Sequence, residues 1–173
     1  TKKEVWLTFD DGPDPNVTPW ILSVLKKENI QSTFFLVGKN VEKYPKLVKQ
    51  IIKNGHEIGN HSYSHKNGWL CNNKTYLDDI EKCQQLIPEN KLFRPPYGKI
   101  TSRQIAVLKS KYKIILWDIL PGDFQTKKNP DKIKKTILKK TKSGSIIVLH
   151  NNNKSFMNLK PILTETIQSL KKR

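Results

Sequence analysis

The stretch LTFDDGP, Leu7 to Pro13, runs an apolar segment into two adjacent carboxylates and then into Gly12-Pro13. Val5 to Phe9 reads as a strand, β-branched and aromatic, and Gly-Pro marks where the chain must reverse. Asp, Gly and Pro are ordinary turn residues. Turn chemistry accounts for Gly12-Pro13 but not for two like charges, Asp10 and Asp11, side by side at a strand's end. The rest of the chain decides between a turn and a site.

Apolar runs and helical patterns alternate beyond it. Pro19 to Glu28 reads as a helix with Thr18 as N-cap and Pro19 at its first position. Ser32 to Val37 reads as a strand stopped by Gly38. Pro45 to Lys53 follows as a helix with Leu47, Val48, Ile51 and Ile52 on one face, ended by Asn54-Gly55. A short Glu57-Ile58-Gly59 segment leads into HSYSH, His61 to His65. Thr75 to Leu86 is helical, with Tyr76, Leu77, Ile80 and Leu86 as its apolar face. Leu92 to Arg94 is a short strand before Pro95-Pro96, and Ser102 to Ser110 a helix carrying Ile105, Ala106 and Leu108. Ile114 to Trp117 is a strand, Pro130 to Thr141 a helix, Ile146 to Leu149 a strand and Pro161 to Leu170 a closing helix. This alternation, with several strands apolar throughout, predicts an α/β fold: a parallel sheet covered by helices. A chain of 173 residues fits a single domain spanning 1–173, and no linker, low-complexity segment or repeat interrupts it.

The chemically unusual residues fall where strands end. Asp10 and Asp11 follow the first strand, His61 and His65 follow Glu57-Ile58-Gly59, and Arg94 ends a strand. Asp123 lies beyond the Ile114 strand, and His150 follows Leu149 directly. In a parallel α/β architecture the C-terminal strand ends share one face, where sites are built. Residues far apart in sequence are therefore expected to converge.

Composition narrows the surroundings. With 32 basic against 15 acidic residues the formal charge is +17, which favours anionic partners such as nucleic acid, an anionic membrane surface or acidic wall polymer. Most lysines lie along helical stretches, so a solvated basic surface with no dedicated partner is the readier explanation. Trp6, Trp20, Trp69 and Trp117 are not interleaved with basic runs as a nucleic-acid stacking platform requires. No apolar run approaches the ~20 residues that span a bilayer. Thr1-Lys2-Lys3 does not begin a signal peptide, although a mature chain would have lost one. Cys71 and Cys83 have no neighbouring CxxC partner; a disulfide and two free thiols both remain open.

Three clusters can carry chemistry. In HSYSH the two histidines are four apart, so a helical turn would point both rings the same way. A carboxylate from Asp10 or Asp11 would complete three metal ligands with open positions, the catalytic rather than structural arrangement. Two surface or capping histidines are the alternative. His56, in the turn after the second helix, reads as structural. In FRPPYG, Phe93 to Gly98, the double proline fixes the backbone and aims Arg94 and Tyr97. An arginine there can hold a carboxylate in a bidentate pair and keep it ionised. His150, at the lip of a buried strand, is placed to donate a proton. Asp123 can orient that imidazole, or be an ordinary turn residue.

TFDDGP, HSYSH, RPPYG, WDILPGDF and IIVLH, in that order from Thr8 to His150, resemble the five motifs of the polysaccharide deacetylase family. The resemblance implies a distorted, partly open (β/α) barrel of about seven parallel strands. It implies metal-dependent hydrolysis of N-acetyl groups from an amino-sugar polymer or oligomer, chitin-like or peptidoglycan, with release of acetate. Asp11, His61 and His65 would bind one divalent ion, usually zinc, with cobalt or another divalent ion as alternatives. Asp10 would be the general base, Arg94 its partner, His150 the general acid and Asp123 the group tuning it. Tyr97 would offer a backbone N–H to the oxyanion, and Leu149, Phe124 and Pro96 would line the substrate site. The fourth motif departs from the family's Asp-x-x-Asp-Trp: this chain reads Leu120-Pro121-Gly122-Asp123-Phe124. Asp123 survives, while Phe124 keeps an aromatic wall without an indole N–H, so the departure touches the acyl pocket more than the reaction.

The expected partners are an N-acetylated glycan and, peripherally, an anionic cell envelope, with no nucleic acid and a monomeric chain. The expected location is exported or envelope-associated in a bacterium, with the cytoplasm as alternative. Competing readings are an O-acetyl esterase, a catalytically silent carbohydrate-binding relative, and non-haem iron oxygenase chemistry on the same His-His-carboxylate set. The last leaves the second carboxylate, Arg94 and His150 without roles.

Overall fold

In the computed structural model, which describes residues 4–173, the run at Leu7 becomes strand β1, Trp6–Asp10. Thr1-Lys2-Lys3, where the absence of a signal peptide was read, lies outside the described residues. The first half continues with α1 (Val17–Lys27), β2 (Thr33–Leu36), α2 (Gly38–Lys43), α3 (Pro45–Lys53), β3 (Glu57–Asn60) and α4 (Asn73–Gln84). The second half holds β4 (Leu92–Phe93), α5 (Ser102–Leu108), β5 (Lys113–Ile114), α6 (Pro130–Lys140), β6 (Ile146–His150), α7 (Asn153–Leu159) and α8 (Leu163–Lys171). The strands form one six-stranded sheet in the order β5-β4-β3-β2-β1-β6. Every pairing is parallel, each strand returning through a helical crossover as parallel pairing requires.

Alternation along the strands separates two environments. Leu7 and Phe9 of β1, Phe34 and Leu36 of β2, and Ile147 and Leu149 of β6 face the helices and join their apolar residues in the main core. Each such side chain, fully buried, contributes roughly 1.5–3 kcal/mol. The opposite faces carry Thr8 and Asp10, Phe35, and Val148 and His150. This apolar layer of helices over the sheet lets the barrel interior hold polar groups. Register then does the positioning: Asp10 of β1 pairs with His150 of β6, so two residues 140 positions apart are backbone neighbours.

The sheet closes only partly. After β5 the chain crosses from one sheet edge to the other, where Ile119 makes a single parallel bridge to Ile147. That bridge stands where a seventh strand was expected. The strand read over Ile114 to Trp117 is confined to Lys113–Ile114 because Arg94 takes the next two carbonyls. Its Nε donates to Ile115 O at 3.2 Å and its Nη2 to Leu116 O at 3.1 Å. The result is the half-closed form of a (β/α) barrel.

Other differences have local causes. Helix α1 starts at Val17, not Pro19, because the Asp14 carboxylate accepts from Asn16 N and Val17 N. Thr18 is buried inside the helix and its hydroxyl accepts from Asp14 N. Gly38 begins a helix rather than ending a strand. In α5 the buried residues are Gln104 and Leu108, while Ile105 is exposed. Gln104 closes a capping box with Thr101 and donates to Gly68 O at 2.9 Å. In α4 Leu86 lies past the helix end and Cys83 takes the buried place. Helix α7, hidden behind the polar run Asn151-Asn152-Asn153, was not legible, and the closing helix starts at Leu163 rather than Pro161. Cys71 and Cys83 are free thiols.

Candidate active site

Along a strand adjacent side chains point to opposite faces, so Asp10 and Asp11 should diverge. They do not, because Asp11 leaves β1 with φ 75, in the left-handed region that non-glycine residues seldom adopt. Its carbonyl accepts from Asn40 Nδ2 at 2.8 Å, and Gly12 O accepts from Val37 N at 2.9 Å. Gly12 lets the chain pass close to buried Asn151: a Cβ there would lie 2.2 Å from Asn151 Nδ2, and that side chain would have to shift. The backbone kink at Asp11 thus turns both carboxylates into one cavity of about 600 Å³.

Asp10 is held from inside the barrel. Arg94, with no exposed surface, donates from Nη1 to Asp10 Oδ1 at 2.7 Å and to Thr8 Oγ1 at 2.7 Å. Its guanidinium stacks over the Phe35 ring at 4.0 Å. The expected bidentate fork is not formed. One nitrogen serves the carboxylate, and Nε and Nη2 hold the crossing segment at Ile115 and Leu116, so a single residue ties the base to barrel closure.

Asp11, His61 and His65 gather into one cluster, each offering a ligand atom within 4.8 Å of the others. His61 Nε2 lies 3.7 Å and His65 Nε2 3.2 Å from Asp11 Oδ1. His61 Nδ1 is 2.7 Å from Arg94 O. A carbonyl only accepts, so Nδ1 carries the proton and Nε2 turns a lone pair toward the cluster. The expected helical turn over HSYSH is absent: Ser62 and His65 have φ 60 and 56, and the loop is built residue by residue. Asn60 Oδ1 accepts from Ser62 N, and the Asp79 carboxylate of α4 accepts from Ser64 N at 2.9 Å and Ser64 Oγ at 2.7 Å.

The donor set fits a metal ion. Asp11 Oδ1 is buried with no hydrogen-bond partner, a state that costs a carboxylate oxygen several kcal/mol unless a cation fills it. Burial raises the Asp11 carboxyl, but the neighbouring His65, His61 and His150 outweigh it and hold it well below the usual carboxylate range. Burial pushes His61 down despite the neighbouring Asp10 and Asp11, favouring the neutral imidazole that ligation needs. Two imidazoles, one carboxylate oxygen and an open side match a three-ligand catalytic set.

Across the cavity His150 is fixed twice by one fully buried carboxylate. Its ring Nδ1 lies 2.9 Å from Asp123 Oδ1, and its backbone N donates to Asp123 Oδ2 at 2.7 Å. Burial alone would lower this imidazole. The Asp123 hydrogen bond and charge, with Asp11 and Asp10 behind them, raise it to about 9. Phe124 packs edge-on against the ring at 5.0 Å.

The remaining walls are Trp117, Leu120, Phe124, Val148 and Val37 on the apolar side, and Tyr97, Asn40, Asn152 and Lys154 on the polar side. Tyr97 sits at φ 59 on the 3₁₀ turn Pro96–Gly98, and its N–H has no acceptor among the described residues. Two expected lining residues are elsewhere. Leu149 is fully buried in the helix-facing core, because period-two alternation from His150 puts Val148 on the cavity side. Pro96 is buried and is not among the lining residues. Sequence reasoning passed over Thr8, Asp79, Val148 and Asn152; only Val148 carried a usable signal, its even spacing from His150.

The sequence model described as polysaccharide deacetylase matches residues 1–112. A peptidoglycan-N-acetylglucosamine deacetylase of Bacillus cereus is 40% identical over 156 residues, covering 87% of this chain and 56% of that protein. The peptidoglycan-N-acetylmuramic acid deacetylase PdaC of Bacillus subtilis is 37% identical over 161 residues, covering 87% of this chain and 32% of that protein. The crystal structure of the Bc1960 peptidoglycan N-acetylglucosamine deacetylase superposes with a TM-score of 0.93 at 37% identity, covering 98% of this chain and 82% of the other. The chain thus spans only part of these relatives, about half of the first.

Proposed function

The chain belongs to the polysaccharide deacetylase family, and from that premise we propose that residues 1–173 form one catalytic domain that hydrolyses N-acetyl groups of an amino-sugar glycan. The observation that carries the reading is the presence of two proton-transfer groups, each held by its own buried partner, on either side of one three-ligand cluster. Asp10 is held by Arg94 at 2.7 Å and His150 by Asp123 at 2.9 Å.

Asp11, His61 and His65 would hold a divalent ion, zinc in this reading, which when bound supplies Lewis-acid polarisation and acidifies water. The other roles belong to the chain itself. Asp10 keeps Oδ2 free of Arg94 and takes the proton of a water attacking the acetamide carbon. The Tyr97 N–H donates to the carbonyl oxygen as charge develops there, an interaction typically worth roughly 3–4 kcal/mol. His150, protonated with its Nδ1–H on Asp123, gives a proton to the departing nitrogen, leaving acetate and a free amine. Leu120, Phe124 and Val148 enclose the methyl group and exclude water. An amide nitrogen leaves poorly without that proton, whereas the alcohol oxygen of an acetate ester depends on it less; a His150 held protonated by Asp123 therefore suits N-deacetylation.

Peptidoglycan is the glycan this reading favours, since the B. cereus and B. subtilis relatives are named for it. A charge of +17 suits an anionic bacterial envelope, where a monomer would work peripherally. The test is acetate release from a panel of N- and O-acetylated glycans at low and high salt. Release from N-acetylated glycans should vanish with a chelator, return with zinc, and fall about 10³-fold in Asp10→Asn with metal still bound. Retention on wall material should weaken as salt rises. Release from O-acetylated glycans alone, or none from any glycan, would sink the reading.

A further inference from the structure

Asn152 stands two residues past His150 and has two jobs at once. Its Oδ1 accepts from Ser155 N at 3.1 Å, capping α7, and its Nδ2 donates to Asp11 Oδ2 at 2.8 Å. The amide orientation is fixed by chemistry: Ser155 N–H needs an acceptor and the carboxylate a donor, so only one of the two flips satisfies both. Oδ2 is thereby occupied, and Oδ1, buried and without a hydrogen-bond partner, is left facing His61 and His65.

We propose that Asn152 is a positioning residue that makes Asp11 a one-oxygen metal ligand. A free carboxylate can grip an ion with both oxygens or rotate between them. With Oδ2 held by an amide anchored to a helix cap, rotation is blocked and Oδ1 alone is presented. Asp11 would then take one position on a bound ion rather than two, leaving the other free for water or substrate from the cavity. The Asp11 backbone is held independently by Asn40 Nδ2 on its carbonyl, so the residue is anchored at its main chain as well as at Oδ2. The inference rests on the metal-site reading above.

The test compares the parent chain with Asn152→Ser and Asn152→Ala, each stripped of metal. Zinc is titrated against a chromophoric chelator, and the melting temperature of each metal-free protein is measured. Serine caps a helix as well as asparagine but is too short to reach Asp11. Asn152→Ser should therefore melt within ~2 °C of the parent yet bind zinc about 10–100-fold more weakly, the usual effect of removing a partner that orients a ligand. Asn152→Ala should lose both cap and affinity. With cobalt(II) bound instead, the visible absorption of Asn152→Ser should weaken, since a released Oδ2 raises the coordination number. A zinc Kd within twofold of the parent, or a tighter one, overturns the proposal and leaves Asn152 a helix cap. An unchanged cobalt band overturns the one-oxygen assignment. Asn152→Thr, another cap without an amide, repeats the comparison should the serine variant be unstable. A parent that binds no zinc overturns the metal-site reading itself, an outcome distinct from both.

Discussion

Two cavities of similar volume, about 600 and about 640 Å³, lie at opposite ends of the same sheet. The first opens where β1, β3 and β6 finish; the second is lined by Asn29 to Gln31 before β2 and Lys53 to His56 before β3. Each has a histidine in its wall. His150 has Asp123 on its ring and is raised to about 9, whereas burial pushes His56 down. His56 Nδ1 accepts from Ser32 N at 3.3 Å, and its Nε2 is buried with no partner. Neither size nor a histidine separates a site from a crevice. What differs is that one end gathers carboxylates and imidazoles, Asp10 held by buried Arg94 and His150 by buried Asp123, while the other gathers backbone turns, two exposed lysines and one ring with no carboxylate against it. Parallel α/β folds divide labour in this way, chemistry at the C-terminal strand ends and stability at the N-terminal ones.

The comparison breaks most sharply at His150. His150→Gln should lower acetate release about 10²–10⁴-fold, the range of a lost general acid, with zinc affinity unchanged. The sign of the pH effect follows from the raised value. His150 holds its proton below about 9, so activity should decline as pH rises through about 9. Asp123 raises that value, so in Asp123→Asn the alkaline limb should move to lower pH. An alkaline limb that stays in place in this variant would remove His150 as the acid.

Arg94 tests the same contrast through stability. Arg94→Met removes one partner of a fully buried pair and frees the carbonyls of Ile115 and Leu116, which should cost about 3–5 kcal/mol in denaturant unfolding. Lys53→Met at the far cavity, an exposed change with no such partner, should stay within ~0.5 kcal/mol. Equal losses would show that Arg94 is not what holds the half-closed barrel together.

Strand ends were readable in the sequence because burial marks them: the apolar run before Asp10 and the one before His150 placed both residues, and register then made them neighbours. Period-two alternation from His150 also pointed to Val148, but the family pattern directed attention to Leu149. The backbone kinks could not be read. Asp11, His65 and Tyr97 all sit at positive φ; Asn40 Nδ2 donates to the Asp11 carbonyl, and around His65 the Ser62 hydroxyl and Asp79 carboxylate accept from Lys66 N and Ser64 N, contacts that no local pattern signals. HSYSH mimicked helical spacing while converging through a strained loop. Asn152 was hidden in a polar run because its two contacts are made with Ser155 and, 141 residues away, with Asp11. Single long-range contacts of this kind leave no trace in periodicity.

The smallest effect is expected at His56, and it sharpens the contrast between the two histidines. Its proton affinity is lower in the folded chain than the ordinary 6.5, so the unfolded chain binds a proton more readily as pH falls. The stability His56 contributes is present above about 6.5 and is lost progressively below it, by at most ~1.4 kcal/mol per pH unit for one proton. Asn at this position offers Oδ1 to Ser32 N–H in place of Nδ1 and stays neutral throughout. His56→Asn should therefore start less stable at pH 7, from the volume lost, yet lose less stability than the parent between pH 7 and pH 5. Acetate release at pH 7 should stay within twofold of the parent. A parallel decline of the two proteins with pH would mean that the buried ring titrates no differently when folded. An activity loss approaching that of His150→Gln would mean that the two ends of the sheet do not divide chemistry from stability at all.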